Sequence, residues 1–179
     1  MGDLYAVITA VCWSSAVILF DISTKNFTAI QLNVLKNFIG VFGFILTIVL
    51  FSIPSPNFSQ QDIFTLALSG FLGILIADGL FLESLRRVGS GISAVVSTVY
   101  TPTVFIIAFI LFNETIKPQS YIGGSLVLVG ITISVFQYPN TIKKKDLYIG
   151  ILFGLMANIL TAYSVLIIKP IMKNNPVVY

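Results

Sequence analysis

The chain alternates between long apolar runs and short polar breaks, which are rich in Pro, Gly, Ser and Asn as turns are. A helix needs about 20 apolar residues to cross a bilayer, whereas membrane β-strands alternate in polarity over about ten residues. These runs are continuous, and the short connections make consecutive helices antiparallel neighbours. The pattern therefore predicts an all-α polytopic membrane helix bundle. The runs are Leu4–Phe20, Ile30–Phe51, Ile63–Leu82, Gly91–Phe112, Ser120–Phe136 and Leu147–Ile168.

Composition strengthens this prediction. Of the 179 residues, 56% are hydrophobic and 9% are charged, against about 25% charged in soluble domains. So few charges exclude a soluble globular domain and a disordered chain, and the runs leave no room for a soluble catalytic or nucleic-acid-binding domain. Although the net charge is +3, the basic residues lie mostly at the ends of apolar runs, as membrane anchors do. The expected partner is the lipid bilayer, not nucleic acid.

The reactive residues exclude most catalytic chemistry. The chain has no histidine and one cysteine, Cys12, which excludes His-ligated zinc or haem, Ser-His-Asp triads and an intrachain disulfide. It also lacks an Asp-x-x-Asp motif, and Asp78 and Glu83 are five residues apart and do not share a helix face. We expect no enzyme, no cofactor and no metal; a membrane-embedded transferase is the less favoured alternative.

Polar residues inside apolar runs are the main functional candidates, because a charge within the membrane is costly. Asp78 lies about one turn inside the end of the third run, where it would carry a coupling proton, bind a substrate amine, or serve as a structural partner of Lys36. Asn33, Lys36 and Asn37 share one helix face by their spacing. That face would line the substrate pathway, unless Lys36 only snorkels to the interface.

Two further candidates lie on other helices, each with a packing alternative. Trp13 lies mid-span, where it would form a cavity wall or a helix contact. Asn158 follows the small-residue motif Gly150-x-x-x-Gly154, so it would face a central cavity or continue a packing stripe.

The fourth run carries a proline in its middle, Pro102, which has no N–H to donate and frees the carbonyl of Thr98. Two interpretations are open. In the first, the kink exposes a cavity lined by Thr98, Thr101 and Thr103. In the second, it is an ordinary packing kink, since proline is common in membrane helices.

A short internal repeat links the first and sixth runs. Leu4-Tyr5 and Leu147-Tyr148 open them, Ile8 corresponds to Ile151, and Lys25 and Lys169 follow at nearly the same distance. Because a unit of five helices is odd, the second copy must be inverted in the membrane. Inverted repeats are typical of secondary transporters, which bind substrate near the midplane between the copies.

An ordered set of motifs over the first 136 residues resembles the EamA-type repeat of the drug/metabolite transporter (DMT) superfamily. Lys36 lies where the family often has an arginine. The other matching motifs are Trp13-Ser14-Ser15, the turn Ser84-Leu85-Arg86-Arg87-Val88-Gly89, Thr101-Pro102 followed by Glu114, and the pairs Ile122-Gly123 and Val129-Gly130.

The resemblance implies a ten-helix transporter of small metabolites or drugs, built from two inverted five-helix halves, in the plasma (or bacterial inner) membrane. On this basis residues 1–140 form the first repeat and 141–179 the truncated start of the second. The alternative is a half-transporter or assembly subunit, completed by a second copy or by a C-terminal half. Glu114 would hold the loop after the fourth helix.

Orientation has two conflicting indications. Counting basic residues on alternate sides gives seven against three and places the N-terminus outside under the positive-inside rule. The resemblance instead implies a cytoplasmic N-terminus. The seven are Lys25, Lys36, Arg86, Arg87 and the lysines 143–145, and the three are Lys117, Lys169 and Lys173.

Overall fold

The computed structural model describes residues 2–52, 58–113, 122–126, 129, 133 and 142–174. Every regular element in these ranges is helical, which confirms the predicted all-α class. The fifth apolar run, Ser120–Phe136, and Glu114 lie largely or wholly outside the described residues. The helices are α1 (Gly2–Ser23), α2 (Ala29–Leu50), α3 (Gln60–Gly70), a π-helical segment (Phe71–Ala77), α4 (Asp78–Ser97), α5 (Tyr100–Phe112), α6 (Lys144–Ile167) and the short α7 (Lys169–Asn174).

Within the described residues, four helical stretches are long and apolar enough to cross a membrane: Leu4–Ser23, Ala29–Leu50, Gln60–Ser97 and Lys144–Ile167. The third has 38 residues, and at 1.5 Å per residue it would be about 57 Å long, nearly twice the hydrocarbon thickness. Gly89 divides it, because its backbone (φ 75°, ψ 172°) is not helical. The stretch is therefore two antiparallel segments, as the sequence predicts.

The first of these segments is a continuous rod of α3, the π-helical segment and α4 up to Val88, here named the α3–α4 rod. It begins with a capping box, in which the Ser59 side chain accepts from the Asp62 N–H and Asp62 accepts from the Ser59 N–H. It ends at Gly89, and the Asp21 carboxylate of α1 accepts a hydrogen bond from the Ser90 N–H at 3.0 Å. That carboxylate satisfies one of the free donors at the start of the next helical segment.

Contacts at both ends of the bundle fix the topology. At the end near Gly89, Arg87 donates to Asp146 at the start of α6, at 3.0 Å. At the other end, the Lys169 ammonium lies 5.2 Å from the centre of the Phe112 ring. The Gly89 end therefore holds the α1–α2 turn, the break in α4 and the start of α6. Helix α6 is antiparallel to the α3–α4 rod and parallel to the second part of α4 and to α5.

The tightest packing lies between α4 and α6 and depends on glycine. A Cβ on Gly150 would come 2.4 Å from Val88 Cγ1, and one on Gly154 would come 2.8 Å from Val96 Cγ1. Small residues permit this close approach in a bilayer. The prediction that Gly150 and Gly154 pack against a neighbouring helix is confirmed.

The outer faces of α1 and α2 are apolar and exposed. Ile30 and Phe44, for example, are 75% and 74% exposed. A continuous apolar surface of this size is unfavourable in water and matches contact with lipid chains. Together with the spans, it identifies the chain as a multi-pass membrane protein.

Candidate functional site

The π-helical segment Phe71–Ala77 lies in the middle of the α3–α4 rod and is bound by a side chain of α2. Asn33 Nδ2 donates to the carbonyls of Ile74 and Leu75, each at 3.1 Å. Asn33 is 4% exposed, and Asn37 Nδ2 donates to its Oδ1 at 3.0 Å. The irregular segment therefore has two of its carbonyls satisfied by a buried amide, which a membrane interior requires.

One residue beyond this segment, the Asp78 carboxylate forms an ion pair with the Lys36 ammonium through Oδ2. Both side chains are 27% exposed. The structure thus brings together four polar residues that the sequence singled out: Asn33 and Lys36 of α2 bind the α3–α4 rod, and Asn37 binds Asn33. The pair neutralises two charges that would be costly alone.

Asp78 lies farther from the end of its helix than the sequence predicted. The third run was expected to end at Leu82, one turn after Asp78, but the rod continues to Val88. The ten residues from Asp78 to Val88 correspond to about 15 Å of helix. The error arose because the charged residues Glu83, Arg86 and Arg87 resemble a loop in the sequence.

Those three charges are held within the helix by local pairing. Arg86 donates to both Glu83 oxygens at 2.8 and 2.7 Å, and Arg87 donates to Glu83 Oε1 at 2.7 Å. Spacings of three and four residues bring side chains together on one face of a helix, so these ion pairs are compatible with continuous helix. They place this polar stretch at the Gly89 end of the bundle.

Asp78 also opens onto a cavity of about 230 Å³, here named the central cavity. Three predicted candidates, Trp13, Asp78 and Asn158, meet there from three different helices. The Trp13 and Phe81 rings lie 6.3 Å apart between centroids, tilted by 31°. The cavity is lined by Trp13, Asp78, Phe81, Ser97, Tyr100, Ala157, Asn158 and Thr161.

Asn158 has two roles in this arrangement. Its Nδ2 donates to the carbonyl of Val96 at 3.2 Å and to that of Gly154 at 2.8 Å. It therefore joins α6 to α4 while it lines the cavity, so the packing and cavity interpretations are both realised.

Several residues of this cavity were not among the candidates predicted from the sequence. Phe81 follows Asp78 by three positions, and Thr161 follows Asn158 by three, so helical spacing could have identified both. Ser97 and Tyr100 carried no such signal, because they depend on how α4 and α5 are joined.

The threonines near Pro102 do not line the central cavity. Thr98 and Thr101 are exposed, and the Thr98 hydroxyl donates to the Val95 carbonyl at 2.6 Å. Helix α5 begins at Tyr100, so Pro102 lies in its first turn, where a missing N–H costs no intrahelical hydrogen bond. Proline here accompanies the turn at residues 98–99 instead of opening a cavity.

The geometry combines one carboxylate, a neutralising lysine, three aromatic rings and a few neutral polar groups. Such a site can bind and orient a small molecule. A comparison with curated proteins and one with solved structures found no match. The EamA-like transporter family model matches residues 1–136. The chain therefore belongs to the EamA-like transporter family.

Proposed function

We propose that the chain works as a secondary transporter, moving small metabolites or drugs across the plasma membrane by alternating access, and that it catalyses no reaction. The observation that carries this proposal is the central cavity around Asp78. The cavity adjoins the π-helical segment at Asp78, and four of its eight described lining residues are apolar or aromatic. Cavities with a few oriented polar groups are typical of small-molecule sites.

The position of the cavity between segments supports the same proposal. Its walls come from α1, α4 and α5, assigned to the first predicted repeat, and from α6, assigned to the second. Secondary transporters place their substrate site at the interface of two repeats, often beside irregular helices. The π-helical segment, one residue before Asp78, is such an irregularity.

Flux into proteoliposomes tests the function. The protein is reconstituted, a panel of labelled amines, organic acids and neutral metabolites is offered, and uptake is measured with and without a proton gradient. We expect at least one compound to accumulate above the level of empty liposomes. Absence of flux for every class, with and without the gradient, would refute a transport function.

Variants connect the flux to the cavity. Asp78→Asn should lower flux at least about tenfold, since a charge-assisted contact is lost. Asp62→Asn is the matched control, because Asp62 lies on the same rod but caps its exposed start. Equal flux in both variants would show that the central cavity is not the site.

A further inference from the structure

The central cavity adjoins two larger cavities and shares lining residues with each. Toward the Gly89 end, a cavity of about 400 Å³ shares Trp13, Phe81 and Ser97 with it. Toward the opposite end, a cavity of about 380 Å³ shares Asp78 and Thr161. The three cavities therefore form a row. The residues shared with the first neighbouring cavity are mostly aromatic, and those shared with the second are polar.

The row extends over roughly the thickness of a membrane. On the rod the lining begins at Leu66, and Ser90 lies just beyond the end of the rod at Val88. Leu66 and Val88 are twenty-two residues apart, or about 33 Å along the helix, against about 30 Å of hydrocarbon. Asp78 lies twelve residues from Leu66 and ten from Val88, so a molecule passing along the row meets this carboxylate near its middle.

Asp78 is the one charged residue among the described lining residues of these cavities. Lys36 binds it through Oδ2 and lines none of the three. A carboxylate has about four lone-pair sites, and an ionised one only accepts hydrogen bonds. The row of cavities thus presents an acceptor with a negative charge, while the compensating positive charge is held on the α2 side.

The aromatic residues around the carboxylate favour the same charge on a ligand. Trp13, Phe81 and Tyr100 all line the central cavity, and the face of an aromatic ring attracts cations. Their bodies also offer a surface for an apolar group. Ser97, Asn158 and Thr161 add neutral polar atoms but no positive charge.

We infer that the site takes small organic amines: the protonated amino group binds Asp78, and an apolar or aromatic body lies against Trp13, Phe81 and Tyr100. This inference rests on the transport function proposed above and specifies its substrate class. The opposite assignment, an anion bound by Lys36, would require that lysine to face the row of cavities.

Binding of three ligands of similar size tests the sign of the charge. Trp13 is the single tryptophan of the chain and lines two of the cavities, so its fluorescence reports occupancy. The protein in phosphatidylcholine nanodiscs is titrated with 2-phenylethylamine, 2-phenylethanol and 3-phenylpropionate. We expect a saturable change in emission with the amine, at a concentration at least about tenfold below those for the alcohol and the acid. Equal or tighter binding of the acid would overturn the inference.

Two variants test whether the preference for amines comes from the Asp78–Lys36 pair. Asp78→Asn should weaken amine binding at least about tenfold and leave the alcohol unchanged. In Lys36→Gln the amine should still bind more tightly than the acid. If the site instead bound anions through Lys36, this variant would bind the acid more weakly. The controls are Asp62→Asn, at a half-buried position, and Lys25→Gln, at an exposed one, both outside the three cavities. If a variant does not fold, the three-ligand comparison on the unmodified protein still decides the inference.

Flux separates this inference from the proposed function. Transport of amines, but not of acids or alcohols, supports both. Transport confined to acids or neutral compounds refutes the amine assignment and leaves the transporter proposal intact. Absence of flux in every class refutes the transporter proposal.

Discussion

The α3–α4 rod is held on its two sides by different kinds of contact. Toward α2, it is bound by polar groups: the Asn33 amide on two backbone carbonyls and the Lys36–Asp78 pair. Toward α6, close packing at Gly150 and Gly154 dominates, with two polar contacts near its ends, from Ser69 to the Ser164 carbonyl and from Arg87 to Asp146. Packing is sensitive to volume and insensitive to charge, whereas the polar contacts respond to protons and charged ligands. We interpret the α6 side as the fixed side and the α2 side as the responsive one.

The largest effect should come from added volume on the packed side. Gly150→Leu would force atoms into Val88 and the Arg87 stem, since even a Cβ comes within 2.4 Å of Val88 Cγ1. We expect a loss of about 3 kcal/mol in the free energy of unfolding, the upper range for overpacking. Unfolding in mixed micelles with increasing denaturing detergent measures it.

Gly43 in α2 provides the matched control, because a Cβ there would meet nothing within 4 Å. Gly43→Leu should leave the unfolding free energy unchanged, and adding Val88→Ala to Gly150→Leu should recover part of the loss. If the Gly150 and Gly43 variants were equally stable, the glycine packing would not hold the two helices together.

The next effect concerns the charge pair on the polar side. Lys36→Met and Asp78→Asn should each cost about 2 kcal/mol of unfolding free energy, less than a fully buried pair would because both side chains are partly exposed. The double variant leaves no unpaired charge and should be closer to the original protein. A double-mutant cycle from unfolding curves gives the coupling, and additive losses would show that the two residues do not stabilise each other.

A smaller effect is expected at the amide bound to the π-helical segment. Asn33→Ala removes the two hydrogen bonds to the π-helical segment and the one accepted from Asn37, and should cost about 1 to 2 kcal/mol. Asn37→Ala removes the bond to Asn33 and should cost about 0.6 kcal/mol. Hydrogen exchange of the amides in residues 71–79 should quicken in the Asn33 variant and change little in the Asn37 variant. If exchange were faster in the Asn37 variant than in the Asn33 variant, the Asn33 amide would not be the group that stabilises the π-helical segment.

The smallest effect belongs to a polar contact on the α6 side, at the Gly89 end. Asp146→Asn breaks the 3.0 Å bond from Arg87, and the Asp146 side chain is 41% exposed. Exposed ion pairs contribute about 0 to 1 kcal/mol, so the unfolding free energy should fall by about 0.5 kcal/mol and the difference should fade in high salt. A loss as large as that at Asp78 would contradict the assignment of polar binding to the α2 side.

Much of the fold could be read from the sequence, because each bilayer span is a long apolar run and the spacing within a helix is regular. This regularity identified the shared face of Asn33, Lys36 and Asn37 and the packing of Gly150 and Gly154. The division into repeats at residue 140 and the transport roles of the candidate residues stay predictions.

Other features depend on geometry that leaves no pattern in the chain. A π-turn needs no particular residue, so Phe71–Ala77 looks like any apolar run, and its hydrogen bonds to Asn33 were not foreseen. The distance of Asp78 from the end of its helix depends on where that helix ends, and the stretch with the ion pairs of Glu83 stays helical for more than a further turn. The cavity interpretation of Thr98 and Thr101, one of the two left open, required a kink within a helix, but the helix begins beside the proline.

The π-helical segment has a mechanical consequence for Asp78. An α-helix turns by about 100° per residue, whereas the wider π-turns place more residues in each turn. If the segment changed from π to α geometry, with its hydrogen bonds shifted by one residue, the helix beyond it would rotate by about 100°. Asp78 is the first residue beyond the segment, so such a rotation would carry its carboxylate off Lys36 and swing it around the rod axis, with the ligand still bound.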